Sequence, residues 1–192
     1  ASALSPHLRN LLGLGYLERI VPLAPRSPKR TAVAYRVADP LLRFWFRFLE
    51  PNASQLRLLA PERAVEQLVA PQWEAYCGEG FERLCREALP AIYAADDITG
   101  RYQVGEYWDR DLQVDVVGLR GDGWIDLGEC KWSGRPSLAA AATELRARCA
   151  RFPADGRAVR QHLFSRRAPA AAAAADVAVH DLDSLYREGA GR

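Results

Sequence analysis

Apolar residues near the start fall at Leu4, Leu8, Leu11 and Leu12, the spacing of one helix face, and Gly13 and Gly15 end that pattern. Tyr16 to Pro22 reads as a short strand and Ala32 to Val37 as its return, with a Pro/Ser/Arg turn from Ala24 to Lys29 between them. A helix, a strand, a basic turn and a strand make the C-terminal half of a winged helix-turn-helix, and the two helices that would precede it are not in this sequence. Asp39-Pro40 then opens a helix, with Asp39 as the cap and Pro40 in the first turn. It runs through Leu41, Leu42, Phe44, Trp45, Phe46 and Phe48 to Pro51-Asn52. Because it is apolar on nearly every side, it is expected to be buried or pressed against another domain.

An amphipathic helix follows over 61–70, and another over 72–89, interrupted or bent near Gly78 and Gly80. Three strand patterns come next, at 102–108, 112–119 and 124–132, with Gly121-Asp122-Gly123 as the hairpin turn between the last two. Leu138 to Arg151 reads as an Ala-rich helix and 159–164 as a strand. The Ala run 170–175 reads as a short helix, 177–179 as a strand and 182–186 as a helical turn. The chain therefore divides into a partial winged helix (1–38), a helical linker (39–71) and an α/β segment (72–192) whose order is α-β-β-β-α-β-(β)-α.

Composition changes this picture little. Hydrophobic residues make up 49% and charged residues 26%, enough for a buried core. No run of about 18 uncharged apolar residues is present, so no membrane-spanning helix is expected, and the first residues lack the basic start and apolar run of a signal peptide. Cys77, Cys85, Cys130 and Cys149 have no zinc-like spacing and suit a reduced, cytoplasmic protein. The absence of Met fits a piece of a longer protein.

Charge adds more. The net +2 divides into local balances of +5 over residues 1–43, −8 over 44–130 and +7 over 131–167. Basic stretches on both sides of an acidic centre suit a polyanion partner, and equally suit an ordinary arginine-rich surface.

One constellation carries chemistry. Asp115 interrupts an apolar strand, Gln113-Val114-Asp115-Val116-Val117, that should be buried on both faces. In the next strand Glu129 and Lys131 lie two apart, so they share a face. The hairpin makes the strands neighbours and brings Asp115 beside Glu129. Two close carboxylates repel, and burial disfavours both charges. Mg²⁺, a hard cation that takes oxygen ligands and keeps waters, relieves both problems and supports phosphodiester hydrolysis, with Lys131 orienting water or holding developing charge. The plainer reading is an ion pair on a strand edge. His7, His162 and His180 match no metal spacing. His162, close to Arg160, Arg166 and Arg167, suits phosphate contact less well than a structural role.

The layout of Asp, hairpin and Glu-x-Lys resembles the PD-(D/E)xK nuclease superfamily. The implied fold class is α/β, a restriction-endonuclease-like mixed sheet flanked by helices, here preceded by a partial winged-helix segment and a helical linker. More narrowly, the chain resembles the C-terminal region of archaeal-type P-loop ATPases found in archaea and bacteria. The matching words are Tyr35, Asp39-Pro40-Leu41-Leu42-Arg43-Phe44-Trp45-Phe46-Arg47-Phe48, Pro51-Asn52, Gly80-Phe81-Glu82, Cys85-Arg86, Asp115-Val116-Val117, Gly128-Glu129-Cys130-Lys131-Trp132 and Leu163-Phe164-Ser165.

The resemblance implies that Asp115 and Glu129 are metal ligands, that Lys131 is the catalytic lysine and that Glu82 is a helix carboxylate added to the metal site. Mg is the implied cofactor, with Mn as a substitute. Val114 stands where the motif name has proline. No G-x-x-x-x-G-K-[ST] loop occurs, so the implied ATPase partner is a domain outside this sequence.

Two functions follow as expectations. One is a metal-dependent nuclease, cutting DNA in preference to RNA, whose backbone contacts come from Arg146, Arg148, Arg151, Arg160, Arg166 and Arg167. The other is a non-catalytic module that binds nucleic acid or protein for the ATPase, with Arg26, Lys29 and Arg30 of the wing on a groove or phosphates.

Overall fold

A computed structural model describes residues 4–26, 33–132, 138–167 and 176–189. The chain forms two compact units, residues 1–21 with 32–74, and residues 22–31 with 75–192. The expected Ala-run helix at 170–175, and Lys29 and Arg30, lie outside the described residues.

In the first unit α1 (Leu4–Gly13) leads into an antiparallel pair, β1 (Leu17–Ile20) with β2 (Ala34–Val37), registered from Leu17↔Val37 to Ile20↔Ala34. Gly15, at φ +76°, supplies the left-handed turn that ends the helix. Helix α2 (Pro40–Phe44) starts as its sequence dictates: the Leu42 N–H donates to Asp39 Oδ1 at 3.0 Å. It widens into a π turn over Trp45–Leu49, then continues through α3 (Ala53–Leu56).

The aromatic run, expected to be buried or pressed against another domain, is buried within this chain only in part. Phe48 is sealed and packs on Phe44 at 4.9 Å, whereas Leu41, Trp45 and Phe46 are 71%, 49% and 54% exposed. A helix that is apolar all round needs partners on every side to be fully buried.

A short helix, α4 (Pro61–Ala64), passes through a second π turn directly into α5 (Ala70–Ala95). The expected interruption at Gly78 and Gly80 is absent. The helix also runs through Pro90, whose missing N–H removes one backbone bond. Tertiary burial outweighs these local costs: Phe81, Cys85, Ala88, Leu89, Ile92 and Tyr93 form one buried stripe.

The second unit is a five-stranded mixed sheet flanked by helices. Its strands are β3 (Tyr102–Trp108), β4 (Gln113–Arg120), β5 (Trp124–Lys131), β6 (Ala158–Ser165) and β7 (Val177–Asp181), side by side in that order. The first three are antiparallel; β6 and β7 run parallel to β5. Parallel neighbours need a crossover, supplied between β5 and β6 by α6 (Leu138–Arg151). Helices α5 and α7 (Leu182–Gly189) pack with Val116 and Phe164 on one face. On the other, α6 places Ala141, Ala142 and Leu145 against Leu163 and Val177. Residues 22–26 belong to this unit: the Leu23 N–H donates to Glu106 O at 2.8 Å, and Arg26 pairs with Asp155 at 2.8 Å.

A buried polar line crosses the α5 face. Tyr93 Oη donates to Asp126 Oδ2 at 2.7 Å, His162 Nε2 meets Asp126 Oδ1 at 2.8 Å, and His162 Nδ1 meets His180 Nε2 at 3.0 Å. His162 is fully buried, so it serves the core and not a phosphate surface. Burial, then the neighbouring His162 and Arg160, pulls His180 down to about 4.

That depression makes the fold acid-sensitive. The unfolded imidazole, at about 6.5, takes up a proton that the folded one refuses, so stability is lost as pH falls from about 6.5 towards 4, by about 3 kcal/mol in all. Urea midpoints at pH 7 and pH 4.5 should differ more for the wild type than for His180→Gln. Equal differences would remove His180 as the source.

Candidate metal and phosphate site

The site is built where β4 and β5 end on the side away from their hairpin. Between Gly105↔Val117 and Tyr107↔Val114 the β3/β4 register slips, so Asp115 and Val116 together oppose the single residue Glu106. That is a β-bulge, which inserts one residue and re-aims its side chain. On the other side of β4 the ladder with β5 runs from Leu119↔Ile125 to Val116↔Gly128, and one more step sets Asp115 opposite Glu129. There the Cys130 N–H donates to Asp115 Oδ2 at 3.0 Å, so a carboxylate takes over from a backbone carbonyl.

Asp115 and Glu129 are both buried, at 7% and 3% exposure. Burial raises the proton affinity of Asp115 against the opposing effects of the Cys130 N–H and nearby cations. Burial raises that of Glu129 as well, with the charge of Asp115 adding to it. Two neighbouring carboxylates, each raised, form a site that attracts a proton or a cation.

Lys131 Nζ lies 2.8 Å from Glu129 Oε1 and 3.1 Å from Glu144 Oε2. Arg148, on α6, bonds the other Glu129 oxygen, and it reaches Glu144 at 3.0 Å. From α5, Arg86 Nη1 donates to the Asp115 carbonyl at 2.8 Å and stands 3.9 Å from Glu82 and 3.8 Å from Glu106. Five carboxylates and three cations thus gather at this end of the sheet.

The expected trio of Asp115, Glu129 and Lys131 is therefore assembled. Glu82, on α5, stands 3.9 Å from Arg86, which in turn bonds the Asp115 carbonyl. Among the described residues no group of three or more His, Cys, Asp and Glu is placed to hold a metal ion. The donors do suit Mg²⁺, which binds through one or two carboxylates and leaves its other positions to water and phosphate oxygens. Asp115 and Glu129 are two carboxylates of that kind.

The basic residues are placed differently from a bare phosphate-binding surface. Arg146 pairs with Asp176 at 2.6 Å and Arg160 with Asp96 at 2.6 Å, while Arg151 donates to the Asp111 carbonyl. Arg148 faces Glu129 inside the site. Arg166 and Arg167 are exposed. Sequence reasoning missed the parts played by Arg86, Glu106, Glu144 and Arg148. The one signal available was the Glu144/Arg148 spacing of four, which places both on one side of α6.

Comparison with known proteins gives three findings. The family model DUF234, described as "Archaea bacterial proteins of unknown function", matches residues 45–144, a span holding Glu82, Asp115, Glu129, Lys131 and Glu144. An uncharacterized protein of Methanocaldococcus jannaschii is 27% identical over 133 residues, 68% of this chain, and the chain spans only 29% of that relative's length. No solved structure matches.

Proposed function

Since the chain belongs to the DUF234 family, whose description assigns no activity, we propose from the site's own chemistry that the second unit hydrolyses phosphodiester bonds of nucleic acid, DNA first among them, with Mg²⁺ or Mn²⁺. The observation that carries this reading is the pair of buried carboxylates, Asp115 and Glu129, side by side with raised proton affinity and with Lys131 against Glu129.

Asp115 and Glu129 would hold the ion, and Glu82 would add charge from α5. The ion, when bound, polarises a phosphoryl oxygen and acidifies a water. The chain's own groups do the rest. Cys130 N–H and Arg86 fix the Asp115 side chain and backbone, so the carboxylate needs no reorganisation. Lys131, paired to Glu129 and Glu144, is placed to orient the attacking water or hold charge developing on the phosphate. We also place this chain as an accessory to a P-loop ATPase domain of a longer cytoplasmic protein. Among the described residues no helix is long and apolar enough to cross a membrane.

The test is cleavage of plasmid and single-stranded DNA with Mg²⁺, Mn²⁺ or chelator, together with a Mn²⁺ titration. Asp115→Asn keeps an oxygen for the Cys130 N–H but loses the charge, so Mn²⁺ affinity should fall about tenfold or more, a difference of about 1.4 kcal/mol. Unchanged Mn²⁺ affinity would remove Asp115 as a ligand. A second reading, a non-catalytic binding module, is favoured by one observation: both Glu129 oxygens are already taken, by Lys131 and Arg148. Salt-sensitive DNA binding without cleavage, indifferent to Lys131, would select it.

A further inference from the structure

Most arginines near this end of the sheet are spent on internal partners, and Arg166 is not. Arg146, Arg148 and Arg160 each hold a carboxylate, and Arg151 holds a backbone carbonyl. Arg166 is exposed and forms no ion pair among the described residues. Its guanidinium instead lies over the Trp132 ring, 4.6 Å from the centroid.

Three features hold it there. Trp132 packs in turn against buried Phe81 of α5, the rings tilted at 52° with centroids 5.7 Å apart. The Arg166 N–H donates to the Lys131 carbonyl at 3.1 Å, just past the Lys131↔Ser165 pairing of β5 and β6. Ser165 Oγ donates to the Arg167 carbonyl at 2.7 Å and fixes the turn that follows.

An arginine with unused donors is normally a mobile side chain that loses freedom on binding. Seated on an aromatic plane, its fork is already oriented, and a planar fork matches two phosphate oxygens. The position is specific as well. Trp132 and Cys130 face α5, while Lys131 and Glu129 face α6, so Arg166 stands beside the carboxylate pair but across the strand end from it.

We propose that Arg166 is a positioning residue that grips a backbone phosphate flanking the phosphodiester presented to Asp115, Glu129 and Lys131. The assignment rests on the nucleolytic reading above. A group on the opposite face of the strand end reaches the neighbouring phosphate and not the one under attack. Arg166 therefore governs binding, and the rate of the chemical step is independent of it.

The experiment compares wild type, Arg166→Ala and Arg166→Lys after matched thermal melts. Affinity for a labelled oligonucleotide, as single-stranded DNA, duplex DNA and the same sequence in RNA, is measured in chelator across a salt series. KM and kcat for DNA cleavage are measured in Mg²⁺. Arg166→Ala should weaken binding about five- to tenfold and flatten the log–log salt slope by about 0.9 on duplex or about 0.7 on single strands, the signature of one lost phosphate contact. KM should rise by the same factor at unchanged kcat. Arg166→Lys should restore the slope and part of the affinity. The polymer with the larger loss names the preferred substrate. A wild type that binds and cuts, with Arg166→Ala indistinguishable from it, overturns this assignment alone. Weaker binding at an unchanged slope also overturns it, as the mark of a merely structural side chain. A wild type that neither binds nor cuts overturns the nucleolytic reading and this one with it.

Discussion

On the nucleolytic reading proposed above, Lys131→Ala should lower Mg²⁺-dependent DNA cleavage about 100- to 1,000-fold, the usual effect of losing a positioned proton-handling or charge-stabilising group. Such a loss would be catalytic in origin, because the fold has little reason to fail. Lys131 is about a quarter exposed, and its removal leaves both Glu129 and Glu144 still bonded to Arg148. No buried carboxylate is orphaned, and the stability change should stay near about 1 kcal/mol. Glu129, already raised by burial and by Asp115, loses an opposing cation and is raised further, so residual activity should move to higher pH. Lys131→Arg keeps the positive charge in a different shape and should recover part of the rate. Full cleavage by Lys131→Ala, in protein free of contaminating nuclease, would sink the catalytic role of this lysine.

Gly118→Ala destabilises the second unit by about 3 kcal/mol or more. A β-carbon at Gly118 would lie 2.0 Å from Tyr93 Oη, 2.9 Å from Leu89 and 3.3 Å from the Asp126 side chain. The first contact cannot be relieved cheaply. Tyr93 is 1% exposed, and its hydroxyl is the donor to fully buried Asp126. Overpacking costs about 1–3 kcal/mol, and loss of a buried hydrogen bond to a charged group costs about 1.5–3 kcal/mol. Adding Tyr93→Phe removes the oxygen and leaves Asp126 with His162 and Arg120, so the double variant should recover a good part of the loss. Urea unfolding of the three variants checks this, and a Gly118→Ala protein within about 1 kcal/mol of wild type would contradict it.

What the sequence made legible was whatever periodicity and turn chemistry encode. The helix expected at 138–151 and the strand at 102–108 lie where their patterns place them, and the Gly121–Gly123 hairpin joins β4 to β5. Alternation alone put Glu129 and Lys131 on one face. The Tyr93–Asp126–His162–His180 line was invisible because its members come from one helix and three strands. Asp126, set between Ile125 and Leu127, gave no sign of its partners. Arg148 was read as a nucleic-acid backbone contact because a charge count does not say which side of α6 meets the sheet. The continuity of α5 was missed for the converse reason: Gly78, Gly80 and Pro90 are real local breakers, and long-range burial overrides them.

The bulge at Asp115 bears on how relatives should be compared. It makes β4 one residue longer than its partner β3 just at the carboxylate. A relative lacking that extra residue would keep every strand, turn and helix, yet its acidic side chain would be turned to the opposite side of the sheet. In an alignment of the family, a single-residue gap at this place would therefore separate members that retain the paired carboxylates from members that retain only the scaffold, even where both carry an aspartate in the same strand.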